Sequence, residues 1–319
     1  MADDSMTPGL DALLSGAAIL DLSSRGRIRV AGEDRARLLH AMTTNHIQQM
    51  KPGDGLYAFF LNAQGRIQAD AWILCFDDHL LLDTEPETRK PLVEHLDRYI
   101  IADDVTLEDE SDATFCIGLE GPRAPETSDL IALPAPVVKY SHARWGEFSV
   151  AAISMTSFPA VRIYGPLPRK EELIQQLESA GAIAASERDA DAARLHNFRP
   201  RYGREITDST LPQESQQMQA LHFQKGCYLG QEIIERIRSR GHVNKQLMGF
   251  RLDAAVLPEP GAKLFAGGKE AGEVSSAALF PEDEFKVVGL AYVRVPYNKP
   301  GAIAGIDGRP AELFAPAAA

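Results

Sequence analysis

The spacing of apolar and polar residues predicts groups of strands interrupted by helices. Residues 56–84 contain three apolar runs separated by polar turns at residues 62–65 and 77–78, which is typical of three consecutive antiparallel strands. Two earlier runs, AAILDLSS and GRIRVAG, meet around residues 23–26 and predict a hairpin. Apolar residues recur at helical spacing in residues 33–43, 86–100, 168–180 and 186–198.

The order of these elements predicts an α+β fold, because strands and helices do not alternate as regular βαβ units. After Gly241 the apolar runs become short and are punctuated by Gly and Pro, which indicates a small β-barrel. We therefore predict an α+β region at residues 16–241 and a C-terminal β-barrel domain at residues 242–315. Residues 1–16 and 315–319 are predicted to be frayed ends.

The net charge and its distribution along the chain limit the classes of ligand or macromolecule that we expect the protein to bind. The chain of 319 residues has a net charge of -12, which works against non-specific binding to nucleic acid or to an anionic membrane. It has no apolar run long enough for a membrane helix and no basic leader, so we expect a cytoplasmic protein. Residues 194–251 contain ten Lys and Arg against five acidic residues. This local excess indicates one anionic ligand or partner, or else a set of solvated helix faces.

The three cysteines differ in their neighbours. Cys75 and Cys116 lie in apolar strand-like runs, where a thiol is usually a small buried side chain. Cys227 lies in KGCYLGQE, where the adjacent Lys225 and the start of a following helix favour the thiolate. Cys227 is thus a candidate ligand or redox thiol, although a plain turn into a helix with an incidental cysteine would give the same pattern.

The spacing of apolar and charged residues predicts a helix after Gly230. Leu229, Ile233 and Ile237 recur at intervals of four and are predicted to face the core. A row of charged residues, Glu232, Arg236 and Arg240, is predicted to face solvent.

Several motifs resemble those of the YgfZ family of folate-binding proteins. KGCYLGQEIIER resembles the family signature and matches it at Lys225, Gly226, Cys227, Tyr228, Gly230, Gln231, Glu232 and Arg236. FFLNAQGRIQAD at residues 59–70 and MTTNHI at residues 42–47 resemble two further family elements. The family is similar in fold to the aminomethyltransferase (T-protein) of the glycine cleavage system. The resemblance implies a folate-binding region of ferredoxin-like α+β pieces, then a β-barrel, around a central opening.

The segment at residues 194–214 resembles a T-protein motif at Arg194, Leu195, Tyr202, Gly203, Glu205 and Pro212. Two departures stand out. The glutamate that holds the pterin in T-proteins falls at His196, and their paired catalytic aspartates fall at Ala69 and Asp70. Histidine cannot offer the two-oxygen acceptor of a carboxylate, so pterin binding is expected to be weaker or differently arranged.

The resemblance implies a tetrahydrofolate-binding accessory protein for assembly or repair of iron-sulfur clusters, including those of tRNA-modifying enzymes. Cys227 would serve as a thiolate ligand or redox thiol, and Lys225 and Asp70 are the other candidate catalytic residues. Since one cysteine cannot complete a [2Fe-2S] or [4Fe-4S] centre, a cluster would be shared with assembly or carrier proteins or with target enzymes. The folate-site candidates are Asn62, Arg66, Asp70, Arg194, Tyr202, Gly226, Gly230, Gln231, Glu232 and Arg236.

Other interpretations remain open at this point. Asp70 could be an ordinary solubilising residue at a strand end, and Asn62 and Arg66 could only shape a turn. A tetrahydrofolate-dependent aminomethyltransferase is the alternative function, which His196 and Ala69 disfavour. A demethylase or oxidase relative is also compatible with the fold. An RNA-binding module would need aromatic residues interleaved with a continuous cationic surface, and we expect no direct nucleic-acid binding.

Overall fold

The computed structural model describes residues 6–280 and 286–318. Its α-helices, in chain order, are α1 (Pro8–Ser15), α2 (Arg35–Met42), α3 (Arg89–Asp97), α4 (Ala124–Leu130), α5 (Lys170–Ser179), α6 (Glu187–His196), α7 (Pro212–Ser215) and α8 (Gln231–Arg240). The first eleven strands are β1 (Ala18–Asp21), β2 (Gly26–Ala31), β3 (Gly55–Leu61), β4 (Ile67–Cys75), β5 (His79–Thr84), β6 (Thr106–Asp109), β7 (Thr114–Glu120), β8 (His142–Trp145), β9 (Phe148–Ala151), β10 (Ala160–Pro166) and β11 (Ile183–Ala185). The four helices predicted from periodicity are present as α2, α3, α5 and α6, with shorter bounds.

Two sheets form the N-terminal part. Sheet I has the order β3-β4-β5-β2-β6, and sheet II has the order β11-β1-β7-β10-β9-β8. The three consecutive antiparallel strands predicted at residues 56–84 are confirmed as β3, β4 and β5. Helices α2 and α3 cover the outer face of sheet I through an apolar cluster that includes Leu39 and Leu96. Helix α5 covers the outer face of sheet II through Leu173 and Leu177. The inner faces of the two sheets are directed toward each other.

The predicted hairpin of the first two strands is wrong. Strand β1 pairs with β7 and β11 in sheet II, whereas β2 pairs with β5 and β6 in sheet I. The backbone N–H of Leu22 donates to the carbonyl of Cys116, and Gly26 is paired with Thr84. Both ends of the connection are therefore held by other strands, and residues 22–25 carry the chain from one sheet to the other.

The C-terminal region is a closed barrel, as predicted. Phe250, Leu264 and Leu313 belong to its apolar interior. The barrel docks closely on the preceding segment, since a Cβ at Gly249 would come within 2.4 Å of the Phe198 ring. The predicted α+β class with a C-terminal β-barrel is confirmed, while the exact domain boundary near residue 242 stays a prediction. The barrel strands, in the order β12-β15-β14-β13-β16-β17, are β12 (Lys245–Leu252), β13 (Lys263–Ala266), β14 (Lys269–Leu279), β15 (Val287–Arg294), β16 (Ile303–Ile306) and β17 (Arg309–Phe314).

The chain ends are more ordered than the sequence suggested. Residues 8–15 form helix α1, so the prediction of a frayed segment is wrong there. The Thr7 side chain caps this helix and also donates to Asp189 Oδ1 at 2.6 Å, which fixes α1 beside α6. At the other end, the Ala317 N–H donates to the Phe198 carbonyl. A Thr-Pro pair is a helix-start signal, and it marks the beginning of α1 in the sequence.

None of the helices within the described ranges is long and apolar enough to cross a membrane.

Candidate functional site

A layer of polar side chains lies between the two sheets. Alternation along β4 and β5 directs one side of each strand toward sheet II. The register pairs Trp72 with Asp83, and Asp70 lies two residues before Trp72 on the same side of β4. All three side chains are buried. The sequence pattern thus places carboxylates in the interior, where they need hydrogen-bond donors or counter-charges.

Asp83 is the centre of the ionic part of this layer. Its carboxylate accepts from Arg25 Nε at 2.6 Å and from Arg162 Nη1 at 2.6 Å. The Tyr164 hydroxyl donates to the same carboxylate at 2.6 Å. Burial alone would raise the pKa of Asp83, but the charges of Arg25 and Arg162 outweigh burial and hold the pKa well below its usual range. Since Arg162 and Tyr164 lie on β10, these bonds join sheet II to sheet I.

Asp70 has a different environment. One carboxylate oxygen, Oδ2, accepts from the Tyr57 hydroxyl at 2.5 Å, and the Asp70 backbone carbonyl accepts from Thr84 Oγ1 at 2.6 Å. The other oxygen, Oδ1, is buried and has no protein hydrogen-bond partner within the described residues. Burial, and then the charge of Glu85, raises the pKa of Asp70 to about 7. Asp70 lies inside β4 and is 4% exposed, so the alternative of a solubilising residue at a strand end is wrong.

Glu85 is a second carboxylate that the sequence reasoning missed. Strand β5 ends at Thr84, which pairs with Ala71 of β4, so the antiparallel register brings the next residue, Glu85, beside Asp70. Glu85 is buried, forms an ion pair with Arg25, and accepts from Arg201 Nε at 2.9 Å. Burial opposes its ionisation, but these two arginines lower the pKa of Glu85. A carboxylate directly after β5 was visible in the sequence, but its proximity to Asp70 depends on the strand register.

Several buried donors face the same layer. Trp72 Nε1, Arg25 Nη2, Arg162 Nε and Arg162 Nη2 have no hydrogen-bond partner in the part of the protein that the structure describes. The Arg162 and Arg25 guanidinium carbons lie 4.4 and 4.9 Å from the Trp72 ring centroid. Asp70, whose pKa is about 7, can accept or donate a hydrogen bond near neutral pH. Together with the unpaired donors and the face of the Trp72 ring, it fits a flat heterocycle with donor and acceptor edges. These residues therefore fit the pterin of a folate.

Two predicted folate-site residues have structural partners. Arg194 is buried and donates to Glu205 Oε2 at 2.9 Å and to Asp191 Oδ1 at 2.7 Å. The Tyr202 hydroxyl donates to the Gln68 carbonyl at 2.7 Å, which attaches the loop after α6 to sheet I. These bonds explain why the motif contains Arg, Tyr and Glu. Contact of Arg194 and Tyr202 with folate stays a prediction.

The structure brings together two of the motifs read from the sequence. Asn62 Oδ1 accepts from the backbone N–H groups of Gln64 and Arg66, both at 3.0 Å, and so shapes the turn between β3 and β4. Gly230, with φ of 82°, lies against this turn, where a Cβ would come within 2.6 Å of the Asn62 carbonyl oxygen. Only glycine combines this backbone angle with such a close approach. The Asn62 turn and the KGCYLGQE loop are therefore in contact.

The Arg66 side chain, in the same turn, contacts a different segment from the KGCYLGQE loop. Its guanidinium donates to the Ser209 carbonyl and lies 3.6 Å from Glu214 Oε2. These contacts attach the Asn62 turn to α7 and to the segment before it. A role of Asn62 and Arg66 in folate binding stays a prediction.

Helix α8 is oriented by this contact. Ile234 is fully buried, whereas Leu229, Ile233 and Ile237 are only partly buried. The predicted stripe is thus only partly buried, and Ile233 packs against Gly65 of the Asn62 turn, while the most buried residue of the helix is its neighbour Ile234. Gln231 Oε1 accepts from the Tyr228 N–H at 3.3 Å, and Glu232 and Arg236 are exposed.

The environment of the cysteines follows the prediction. Cys227 is exposed, whereas Cys75 and Cys116 are buried. Burial raises the pKa of Cys116 to about 12 and also raises the pKa of Cys75. Gly226, next to Cys227, is exposed as well. The KGCYLGQE loop thus presents its thiol to solvent.

Lys225 makes contacts that the sequence did not indicate. Its Nζ donates to the His40 carbonyl and to the Thr43 carbonyl, the latter at 2.5 Å, at the C-terminal end of α2. Burial lowers the pKa of Lys225 to about 7. Lys225 therefore anchors the loop to α2, and its predicted effect on the Cys227 thiolate stays a prediction.

Three histidines that the sequence did not single out lie beneath the same loop. The His40 and His46 ring centroids are 4.6 Å apart, and those of His46 and His222 are 5.0 Å apart. Burial and the charge of Lys225 lower the pKa of His40 to about 4. Within residues 6–280 and 286–318, no group of three or more His, Cys, Asp or Glu residues is arranged to hold a metal ion.

Comparisons with known proteins agree with this architecture. The chain is 30% identical over 307 residues to an aminomethyltransferase of Chlorobium luteolum, a match that covers 91% of this chain and 82% of that protein. It is 27% identical over 290 residues to an aminomethyltransferase of Rubrobacter xylanophilus, with 89% of this chain and 77% of that protein covered.

A chloroplastic protein of Arabidopsis thaliana, which carries the provisional name of a transferase, is 29% identical over 282 residues. The match covers 86% of this chain, but the chain spans only 64% of the length of that plant protein.

A solved structure shares the fold. The glycine cleavage system aminomethyltransferase T from Bartonella henselae superposes with a TM-score of 0.87 at 16% sequence identity, which covers 98% of this chain and 89% of that one. Residues 3–225 match the family model described as the GCVT N-terminal domain. The chain therefore belongs to the aminomethyltransferase-like family defined by the GCVT N-terminal domain.

Proposed function

We propose that the protein binds a reduced folate between its two sheets and acts as an accessory protein in iron-sulfur cluster assembly or repair, like the YgfZ family that its motifs resemble. The observation that carries the folate part is the buried Asp70, whose Oδ1, like Trp72 Nε1 on the same face of β4, has no hydrogen-bond partner among the described residues. Buried polar atoms are almost always hydrogen-bonded, so such a pair of atoms marks a place for a polar ligand.

In this proposal the residues of the layer bind and orient the pterin. Tyr57 fixes Oδ2 of Asp70, which leaves Oδ1 directed at the ligand. With a pKa of about 7, Asp70 can donate a proton to a folate nitrogen or accept one from a pterin N–H group. The Trp72 ring provides an aromatic surface. A bound tetrahydrofolate would supply nitrogens that carry one-carbon units.

Two positions support a role other than aminomethyl transfer. Ala69 belongs to the apolar cluster on the outer face of sheet I, so it leaves Asp70 as the inward-facing member of the pair. His196 packs with its ring 5.0 Å from the Phe280 ring, between α6 and the barrel. A carboxylate that accepts from two pterin N–H groups is therefore not supplied at that position, and pterin positioning loses a main contact.

Cys227 supports the iron-sulfur part of the proposal. The thiol is exposed on a loop fixed by Gly230 and Lys225, so it is accessible to a partner protein. It would provide one ligand to a cluster, which is the cargo, and the donor or acceptor protein would provide the others. Three free cysteines fit a reducing compartment such as the cytoplasm.

The experiment has two parts. Calorimetry with tetrahydrofolate should give a dissociation constant below about 1 mM, and an assay with an aminomethylated lipoyl carrier should give no turnover. In cells that lack the protein, activity of cluster-dependent enzymes should be restored by wild type and by Cys75→Ser, and not by Cys227→Ser. Full restoration by Cys227→Ser would contradict the role of the thiol.

The alternative function is tetrahydrofolate-dependent aminomethyl transfer. It is favoured by the names of the two bacterial relatives and by the retained Asp70. Robust turnover of the aminomethylated carrier, lost in Asp70→Asn, would establish this alternative in place of the accessory role.

A further inference from the structure

A short segment after the barrel packs back onto the N-terminal region. Residues 315–318, which we call the strap, follow β17 and carry the chain from the barrel to the loop after α6. The strap has the sequence APAA, and Ala315 and Ala318 are exposed. Its side chains are small, so they bury little apolar surface and contribute little to its docking. The position of the strap therefore depends mainly on hydrogen bonds.

Three hydrogen bonds between described residues hold the strap. The Ala317 N–H donates to the Phe198 carbonyl at 2.9 Å, and the Ala317 carbonyl accepts from Gln217 Nε2 at 2.9 Å. The Ala318 carbonyl accepts from Arg199 Nη1 at 3.2 Å. Gln217 and Arg199 are buried, at 0% and 4% exposed. The strap thus supplies acceptors to two buried side chains of the N-terminal region.

The start of the strap is fixed by aromatic stacking. The Phe314 ring, at the end of β17, lies 5.2 Å from the Phe198 ring with an interplanar angle of 14°. The Arg251 guanidinium carbon lies 5.5 and 5.2 Å from the centroids of these two rings. Phe314 is also paired with Gly249 in the barrel. Since Phe314 is held on both sides, a movement of the strap would pivot at Ala315.

The strap forms part of the wall of a cavity. The cavity has a volume of about 300 Å³, and Ala318 lines it together with Lys139, Tyr140, Ser157 and Arg199. We call it the Ser157 cavity. Besides its bond to the strap, Arg199 Nη1 donates to Ser157 Oγ at 3.4 Å. One guanidinium nitrogen therefore joins the strap to the loop after β9.

The loop after β9 is fixed independently of the strap. The Glu120 carboxylate accepts from the N–H groups of Met155 and Thr156 at 2.7 and 2.9 Å, and from Thr156 Oγ1 at 2.6 Å. The Ser157 N–H donates to Ser154 Oγ at 2.8 Å. These bonds do not involve the strap, so release of the strap would leave the loop in place. The strap is thus the wall of the cavity that can move.

We propose that residues 315–318 are a removable strap, whose release opens the Ser157 cavity and exposes the Arg199 guanidinium to solvent. In the docked state the Ala318 carbonyl occupies Nη1 of Arg199, and in the released state water takes that place. A segment with few hydrogen bonds and little apolar burial opens locally, without unfolding of the sheets. This device does not rest on the proposed function, since it involves neither Asp70 nor Cys227.

The first test follows the modification of arginines in wild type by phenylglyoxal, with mass spectrometry, as urea is raised toward the unfolding transition. Arg199 should react before the transition and with a weak dependence on urea, because local opening exposes little surface. Arg27, which is 1% exposed and bonded to Ser111 and Thr114, should react only when the protein unfolds. Arg204, with a side chain 55% exposed, should react throughout. Reaction of Arg199 only together with Arg27 would overturn the proposal.

The second test removes one hydrogen bond of the strap. Ala317→Pro has no N–H to donate to Phe198, so Arg199 should be modified roughly two- to tenfold faster than in wild type. The matched control is Ala317→Gly, which keeps the N–H, and its rate should stay closer to that of wild type. Arg27 should remain unmodified in both variants.

Two results of the second test would contradict the strap. One is an unchanged rate for Arg199 in Ala317→Pro, and the other is an equal rise in Ala317→Gly. The urea series is performed on wild type, so it tests the strap even where Ala317→Pro folds poorly.

Discussion

Arg162 and Asp83 form a fully buried ion pair, with Nη1 to Oδ2 at 2.6 Å, that connects sheet II to sheet I. Asp83 also pairs with Arg25, so one carboxylate contacts two guanidinium groups. Glu85 carries the remaining charge on the sheet I side, where it contacts Arg25 and Arg201. The interior that frames the proposed folate site is therefore held by ionic contacts as well as by apolar packing.

Asp83→Asn should lower the free energy of unfolding by about 3 to 5 kcal/mol, because the buried Arg162 loses its carboxylate partner and Arg25 keeps only Glu85. The pKa of Asp83 is depressed in the folded protein, so its contribution is present above the unfolded pKa and is lost as pH falls through the folded pKa. Chemical denaturation at neutral pH measures the loss. Asp78→Asn is the control, since Asp78 is 70% exposed in its pair with Arg29 and should cost less than about 1 kcal/mol. Equal losses in the two variants would contradict the ionic role of Asp83.

Asp70→Asn should stabilise the protein at and above neutral pH while it weakens folate binding. Folded Asp70 keeps its proton up to a pH of about 7, whereas an unfolded aspartate loses it near pH 4. The wild type should therefore lose stability as pH rises through this window, by about 4 kcal/mol, and the neutral variant should not. Denaturation at several pH values, together with calorimetry, checks both parts.

The control for Asp70 is Asp109→Asn. Asp109 pairs with Arg89 Nε at 2.5 Å, and its pKa is lowered in the folded protein by hydrogen bonds that outweigh partial burial. This variant should lose stability at neutral pH, which is the opposite sign. A wild-type stability that does not change between pH 4 and pH 7 would argue against the raised pKa of Asp70.

Iodoacetamide at near-neutral pH should label Cys227 well before Cys75 and Cys116, because only the first is exposed and burial raises the pKa of the other two. Cys227→Ser should change the free energy of unfolding by less than about 0.5 kcal/mol, since the side chain is on the surface. Mass spectrometry and thermal denaturation measure the two effects. Comparable labelling of Cys116 in the folded protein would show that its strand opens readily.

Lys225→Met should destabilise the protein by about 1 to 3 kcal/mol, because the carbonyls of His40 and Thr43 lose their shared donor. Lys51→Met is the control at an exposed position and should be nearly neutral. Thermal denaturation compares the variants. An alkylation rate of Cys227 that falls strongly in Lys225→Met without a change in stability would instead favour an electrostatic action of Lys225 on the thiolate.

Local sequence patterns predicted the elements better than the site. The sequence correctly predicted elements that depend on local patterns. These are the strands at residues 56–84, the helix that contains Leu92 and Leu96, and the strands of the barrel. Strand β1 pairs with β7 and β11, which follow it by roughly 100 and 160 residues along the chain. No local pattern distinguishes these partners from a hairpin partner. Glu85 was missed for the same reason, since its position beside Asp70 follows from the register of β4 and β5. Asp70 and Cys227 were found because they lie in motifs that resemble known families.

The crossing of the chain between the sheets has a consequence for folding during synthesis. All strands of sheet I come from the continuous stretch of residues 26–109, whereas sheet II needs β1 from the start of the chain and β11 at Ile183–Ala185. Domains tend to fold as their residues leave the ribosome, so sheet I can form while β1 still lacks both neighbours. Until Arg162 and Arg201 emerge, Asp83 and Glu85 share Arg25 as their counter-charge among the described residues. The nascent chain thus passes through a stage in which this face of sheet I carries excess negative charge and is exposed to water.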